Sequence, residues 1–370
     1  MVRVPRRAAT PEVRAVAFPA ASRQHRGVIA SVLFKRFKAL RAASLRLEPF
    51  NLVIGPTGSG KTSLVQALLR LRLLARQPGS GPGTAPAAGG EAAVGRGRPV
   101  HPEIIFRFAP PDADIEVRLS GRSEHVCDQM EVRHPPTEEA RARWERLRAD
   151  LAGIRAYLFD HYAMAEPVAL ADAGELASNG RNLAAVLDGL RLQQPDVFGR
   201  LEAEFRRALP EFAGIALQPA GEGRVLLALR LIGEPAAITA ENISQGALYT
   251  LAVLTLSFAA HPPTVVCMEE ADRGIHPRLL REVRDALYRL AYPASYGEKR
   301  EPAQIVATTH SPFLLDLFRD HPEEIVVANK RGRSATFERL GDRPDVKEIL
   351  AEGSLGDIWF SGILGGVPEE

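Results

Sequence analysis

Cysteine is nearly missing from this chain: Cys127 and Cys267 are the only two among 370 residues. Two thiols cannot staple a disulfide framework or fill a four-ligand zinc site, so a reducing interior is the expected home. Long apolar runs are missing as well. The longest, residues 248–260, is interrupted by Thr255 and Ser257 and falls short of the roughly 18 residues a membrane span needs. No apolar segment follows the early arginines in the manner of a secretory signal, so a cytoplasmic protein with no membrane partner is expected. Lysine is scarce too, with six among 47 basic residues, so arginine is the general-purpose cation and an arginine cluster carries less meaning than usual. What remains is ordinary globular material, 45% hydrophobic and 25% charged, which excludes a wholly disordered chain. At roughly 150 residues per domain, the length suits one large domain or one domain carrying an insert.

The net charge of +2 hides an uneven distribution. Residues 1–41 hold ten Lys or Arg against the single acid Glu12, a footprint suited to phosphate backbones. The first 26 residues lack periodicity, contain Pro5, Pro11 and Pro19, and read as a flexible basic tail. Order is expected from Val28, with short strands at 28–37, 43–47 and 50–54. A helix with Leu64, Ala67, Leu68, Leu71 and Leu74 on one side follows at 61–76. Residues 78–99 collapse to Gly, Pro, Ala and Ser and read as a low-complexity loop. Strands are expected again at 104–108 and 115–119. From Pro136 the pattern turns helical: a charged helix capped by Thr137 and running to about Tyr157, then helices at 183–192 and 197–209. Strand and helix alternate once more from Arg224 onward. The chain thus divides into a tail (1–26), an N-terminal lobe (27–135), a helical insert (136–215) and a C-terminal lobe (216–370), an α/β sheet split by an insert.

One motif dominates the chemistry. Gly55-Pro56-Thr57-Gly58-Ser59-Gly60-Lys61-Thr62, with Ser63 next, fits G-x-x-x-x-G-K-[ST] between an apolar strand and a helix. Such glycines let backbone N–H groups wrap phosphate oxygens, and the helix start adds its positive end. Lys61 is placed to reach the β- and γ-phosphates of ATP, and the Thr62 hydroxyl to bind Mg²⁺. Some 200 residues later the buried run Thr264–Met268 ends in Glu269-Glu270. Alternation aims two adjacent acids differently, and we assign Glu269 to the metal and Glu270 to the attacking water. Thr308-Thr309-His310-Ser311-Pro312 ends another apolar strand, where His310 is placed to report the γ-phosphate. Asn242-Ile243-Ser244-Gln245-Gly246 opens a helix and forms either an anion site or a plain serine cap. His276 either meets a partner or starts the helix beside Pro277.

Together these residues resemble ABC-type ATPases of the RecF/SMC-like branch, within the AAA-family ATPases, over about residues 28–110 and 225–350. Phe37-Lys38 is similar to that family's segment before the phosphate loop. The stretch from Glu269 to Pro277 resembles E-E-P-E-x-G-L-H-P, Thr309 to Pro312 resembles T-H-S-P, and Ser244 to Gly246 resembles S-x-G. The segments from Ser178 to Leu183 and from Asp357 to Phe360 also look like parts of these proteins. Thr57, Ala271 and Asp272 depart mildly from the pattern. No glutamine lies between Gln77 and Gln129 to serve as the usual link between metal and insert, so Gln129 is a weak candidate for that role. The resemblance implies a P-loop NTPase fold, an ABC-type ATPase head with a mixed sheet and a helical insert. It implies ATP and Mg²⁺ as ligands and a homodimer that sandwiches ATP, Ser244 and Gly246 of one head closing on the other's phosphate loop. Hydrolysis, with Lys61, Glu270 and His310 as the catalytic set, would switch a nucleic-acid-linked process such as DNA repair or anti-phage defence, with DNA or a partner effector or nuclease subunit. The basic turn 35–41 and the arginines of the helix at 139–157 are the candidate DNA contacts. The rival reading is the ATPase subunit of an ABC transporter, against which stand the missing glutamine, the absent Leu-Ser-Gly-Gly-Gln signature and the insert. A built-in nuclease is disfavoured, because only about 50 residues follow the helix after Ser311.

Overall fold

The computed structural model describes residues 28–77 and 101–367. The basic tail at 1–26 and the low-complexity loop at 78–99 lie outside the described residues. Strands β1 (Ile29–Phe37), β2 (Leu40–Arg46) and β3 (Phe50–Ile54) lead into helix α1 (Lys61–Ala75). Next come β4 (Glu103–Phe108), β5 (Glu116–Ser120), β6 (Gln129–Arg133), α2 (Glu138–Ala152), β7 (Ile154–Tyr157), α3 (His161–Ala165) and β8 (Val168–Ala169). Then follow α4 (Leu183–Gln193), α5 (Pro195–Ala208), β9 (Phe212–Pro219), β10 (Arg224–Leu231), β11 (Ala237–Thr239), α6 (Gln245–Ser257), β12 (Val265–Met268) and α7 (Leu280–Ala291). The last group is β13 (Gln304–Thr308), α8 (Pro312–Asp316), β14 (Ile325–Arg331), β15 (Ser334–Arg339), α9 (Val346–Glu352) and α10 (Leu355–Phe360).

A six-stranded sheet forms the middle layer, in the order β15-β14-β3-β13-β12-β7. All its neighbours run parallel except β15, which returns antiparallel on β14. Every residue of β3, β12 and β13 is buried, as expected for parallel strands covered on both faces. Their side chains alternate between two cores. Phe50, Leu52, Ile54, Val266, Met268, Ile305 and Ala307 join α4–α8 and an antiparallel sheet of β8–β11 on one side. Val53, Val265, Cys267, Val306 and Val326 join α1, α2 and the antiparallel sheet β2-β1-β4-β5-β6 on the other. The mixed α/β architecture is the one expected.

Several details differ from the sequence reading, among them β9 (Phe212–Pro219), which falls between the helix expected to 209 and the strand expected from Arg224. The charged helix stops at Ala152 rather than near Tyr157, and Gly153 explains why: a Cβ there would stand 2.8 Å from Thr264 Oγ1, so only glycine lets the chain turn against β12. Ile154–Tyr157 then becomes β7, an edge strand paired in parallel with β12. The stretch 136–215 is therefore helical but also supplies a strand to the middle sheet. The strand β6 was also passed over; its alternation is carried by Met130 and Val132 among exposed polar residues, too faint a pattern to read.

Candidate functional site

The carboxyl ends of β3, β12 and β13 lie side by side, so whatever follows each strand meets the others. Immediately after β3 the chain enters Gly55, with φ +145° and a backbone so close to β14 that a Cβ would sit 2.3 Å from the Ala328 carbonyl. Gly60 ends the loop at φ +94°, where a Cβ would press 2.8 Å from Leu40 Cδ2. No side chain caps α1, which leaves its first-turn N–H groups pointing into the loop that the glycines shape. Inside that loop Lys61 is only 8% exposed. Its ammonium donates to the carbonyls of Gly55 (2.7 Å) and Pro56 (2.9 Å). Burial pushes its pKa down to about 8, while the nearby Glu270 carboxylate pulls it up. The Ser59 hydroxyl is buried with no hydrogen-bond partner among the described residues. Thr62 is exposed and Ser63 half-buried in the first turn of α1, Pro56 is buried and Thr57 exposed.

Beyond β12, Glu269 stands near Thr62, whose hydroxyl favours the charged carboxylate. Burial raises its carboxyl above the usual range, Thr62 opposes that, and Glu270 adds to it. Its N–H donates to the Tyr157 carbonyl at 2.9 Å, tying the acid to β7. Glu270 turns away in a left-handed conformation, φ +51°, which is uncommon for a residue with a side chain. That twist is held from two sides: the Glu270 N–H donates to Thr308 Oγ1 (3.0 Å), and the Tyr249 hydroxyl donates to the Glu270 carbonyl (3.3 Å). Its side chain remains half exposed, with Arg273 at 3.7 Å.

His310 follows β13. Burial and then the Lys61 charge lower its pKa, with Asp272 and Glu270 working against them, so the imidazole shares one electrostatic neighbourhood with the lysine and both acids. Asp272 holds this turn: its Oδ1 accepts from the Thr309 hydroxyl (2.6 Å) and the His310 N–H (3.4 Å). Sequence reading recorded Asp272 only as a mild substitution, and nothing in its spacing announced a role in holding His310. Lys330, at the end of β14, is another residue it missed; a Cβ at Gly58 would stand 3.3 Å from the Lys330 ammonium.

Ser244 and Gly246 form a second group. Ser244 caps α6 by accepting from the Ala247 N–H (3.3 Å). Gly246 lies against the turn after β12, where a Cβ would be 2.9 Å from the Gly274 carbonyl. The plain cap is present, and α6 also reaches the acids through Tyr249. His276 accepts from the Arg278 N–H through Nδ1 at 3.2 Å and so starts its own short turn. Among the basic candidates, Arg41 forks onto Glu124 (2.7 and 2.9 Å), Lys35 pairs with Glu103 and Lys38 with Gln66. On α2, Arg143 pairs with Asp114 and Arg148 donates to the Ala75 carbonyl. Gln129, exposed on β6, pairs with Ser120 of β5.

The donor set suits a magnesium–triphosphate. The Thr62 hydroxyl and the Glu269 carboxylate are hard oxygen ligands of the kind magnesium takes along with phosphate oxygens. The orphaned Ser59 hydroxyl and the glycine-shaped N–H groups suit the phosphates themselves.

A parallel sheet that feeds a glycine loop into a helix, with acids ending a neighbouring strand, defines a P-loop NTPase head. By sequence the chain belongs to the family described as "AAA domain, putative AbiEii toxin, Type IV TA system", which matches residues 128–316. The matched segment holds Glu269, Glu270 and His310 and begins after the phosphate loop. No curated protein matches the chain in sequence. In fold it is similar to an SMC head bound to the C-terminal winged-helix domain of ScpA, with a TM-score of 0.52, 14% identity, and coverage of 84% of this chain and 97% of that one. It is also similar to an SMC head domain with an extended coiled coil, bound to the C-terminal domain of ScpA from Pyrococcus furiosus. That likeness has a TM-score of 0.51 and 14% identity, covering 88% of this chain and all of the other. Among the described residues, no helix is long and apolar enough to cross a membrane.

Proposed function

We propose that this chain binds ATP with magnesium at residues 55–63 and hydrolyses it, and that two copies close head to tail around the nucleotide to act as a switch. The observation that carries the reading is the buried Lys61 held inside a glycine-shaped loop after β3, at the same sheet edge where β12 ends in Glu269 and Glu270. Thr62 and Glu269 would hold the magnesium ion. When bound, that ion supplies positive charge against the charge that develops on the transferring phosphoryl group. Lys61 exchanges its two loop carbonyls for phosphate oxygens, and Lys330 adds a second positive charge beside Gly58. Glu270 orients and deprotonates the attacking water, and its fixed backbone twist keeps the carboxylate from folding back onto the metal ligand. His310, held by Asp272, faces the same centre as a neutral or charged donor. Catalysis on this reading is positioning and charge stabilisation. Ser244 and Gly246, set apart from the phosphate loop within one chain, complete the site of the opposite copy.

The output of the switch is proposed to be a nucleic-acid-linked process, DNA repair or anti-phage defence, run with a partner effector or nuclease subunit. The toxin–antitoxin description of the family favours defence, and the ScpA domains on the similar SMC heads favour a protein partner. Arg36, exposed near the end of β1 with no partner among the described residues, is the first candidate DNA contact. The division into lobes 27–135 and 216–370 around the 136–215 stretch belongs to the same proposal.

The test is Glu270→Gln. This variant should bind ATP as tightly as wild type, lose about 10²–10⁴-fold in phosphate release, and accumulate as a species of doubled mass by light scattering with ATP and magnesium. Normal hydrolysis by Glu270→Gln would transfer the catalytic role to Glu269 or another group. A monomeric mass throughout would remove the head-to-tail closure.

A further inference from the structure

The chain's last described turn packs onto the first glycine of the phosphate loop. After α10, the Gly362 N–H donates to the Trp359 carbonyl (3.0 Å) and the Gly365 N–H to the Gly362 carbonyl (2.9 Å), closing a tight turn. Leu364 is completely buried inside it, and Arg343 donates to the Leu364 carbonyl (3.2 Å). The turn is fixed from both sides at Gly366: its N–H donates to Asn329 Oδ1 (2.7 Å), and its carbonyl accepts from the Trp359 indole (3.2 Å). Gly365 and Gly366 have φ +73° and +65°. A Cβ on Gly366 would meet Val327 Cγ1 at 3.0 Å and the Gly55 Cα at 3.3 Å. Gly55 is therefore confined between the Ala328 carbonyl of β14 and the backbone of Gly366.

We propose that this turn is a brace for the phosphate loop, and that Trp359, Gly366 and Asn329 are positioning residues for nucleotide binding. The proposal rests on the nucleotide reading given above. A loop with glycines at 55, 58 and 60 has much conformational freedom to lose when it wraps a ligand. Contact from outside removes that freedom in advance, so less is lost on binding. The brace works only backbone to backbone, since any side chain at Gly366 pushes on Gly55 or Val327. None of the three residues needs to touch nucleotide. Asn329 and Lys330 are consecutive on β14, so one strand end both anchors the brace and carries the ammonium beside Gly58.

Two variants test it in the full chain: Gly366→Val, which forces a side chain toward Gly55, and Asn329→Ala, which removes the amide that accepts from the Gly366 N–H. Phe360→Ser, on an exposed side chain of the same helix, is the control. In the absence of nucleotide, hydrogen exchange at residues 55–60 should speed up in both variants and stay at the wild-type rate in the control. With magnesium and mant-ATP, Kd should rise about 10- to 100-fold for Gly366→Val and roughly 3- to 10-fold for Asn329→Ala, while kcat at saturating ATP is retained. Should Gly366→Val fail to fold, Asn329→Ala carries the test. Wild-type exchange rates in folded variants overturn the brace. Faster exchange with unchanged mant-ATP affinity overturns the positioning role. If wild type itself binds no mant-ATP while exchange still rises in the variants, the brace stands and the nucleotide reading falls.

Discussion

The two ends of the middle sheet treat buried polar groups in opposite ways. At the amino ends of its parallel strands most such groups are paired, although the Arg339 Nε is buried without a partner among the described residues. Asn51, fully buried in β3, donates to the carbonyls of Glu48 (2.7 Å) and Ile305 (3.0 Å) and accepts from the Glu48 N–H and Arg339 (both 2.9 Å). Gln304, opening β13, exchanges hydrogen bonds of 3.0 and 2.9 Å with the backbone of Ile29 and so stitches the β1 sheet to the middle one. Glu324, just before β14, takes the hydroxyls of Tyr288 (2.5 Å) and Tyr292 (2.6 Å) on its two oxygens. At the carboxyl ends the pairing is incomplete or strained: Ser59 has no partner among the described residues, Lys61 rests on carbonyls of its own loop, and Glu270 holds a left-handed backbone. Satisfied groups at one end specify how the sheets dock. Unsatisfied groups at the other are ready for something else to satisfy them.

If this contrast is right, substitutions at the two ends should separate cleanly into binding and stability effects. Lys61→Ala should show the largest effect, weakening mant-ATP binding by at least about 100-fold, with the melting temperature unchanged or raised because a buried ammonium has gone. A lower melting temperature with intact affinity would reverse the roles of the two ends. Asn51→Ala at the opposite end should cost roughly 2–4 kcal/mol of stability in urea unfolding, since several buried partners lose their mate, while nucleotide affinity of the folded fraction stays at the wild-type value.

A pH titration sharpens the amino end further. Burial pushes Glu324 up to about 7, against the two tyrosine hydroxyls and His321. His321 is itself raised by Glu323, which sits beside it; Arg339 packs on the same corner through the Glu323 carbonyl. Both raised groups bind protons more tightly in the folded state, so their contribution is full at low pH and is lost as pH climbs. Stability should fall by about 2–3 kcal/mol between pH 4.5 and 7 on account of Glu324. Glu324→Gln should flatten that part of the profile, measured by urea midpoints at several pH values; an unchanged slope would remove Glu324 as its source. The smallest effect is expected for Ser59→Ala, a shift of within about 0.5 kcal/mol, since the hydroxyl has no partner to lose. A clearly lower urea midpoint in Ser59→Ala would show that the carboxyl end is satisfied after all.

Much of this was legible in residue order because strands buried on both faces write themselves as unbroken apolar runs. Phe50–Ile54 and Gln304–Thr308 were both read with the bounds they have, and the glycine spacing around Lys61 marked the loop. The α/β class followed from those runs, and the mixed sheet from the resemblance. What escaped were contacts between residues far apart in sequence. Thr308 beneath the Glu270 backbone, Asp272 under His310 and Gly366 against Gly55 leave no periodic trace, because each depends on which strand ends become neighbours. The strand Ile154–Tyr157 was absorbed into a helix because four residues are too few to establish a period against fifteen strongly helical ones. Gly153 was the available clue.

The lysine resting on its own loop has one more consequence. An incoming anion does not simply fall onto a waiting positive charge; it must displace two carbonyl dipoles that already hold the ammonium. A lone monovalent anion gains little from that trade. A chain of linked phosphates meets the freed ammonium, the helix start and the neighbouring lysine together, and gains at each. On the proposed nucleotide reading, the loop is thereby a valence filter, favouring polyphosphate over small anions.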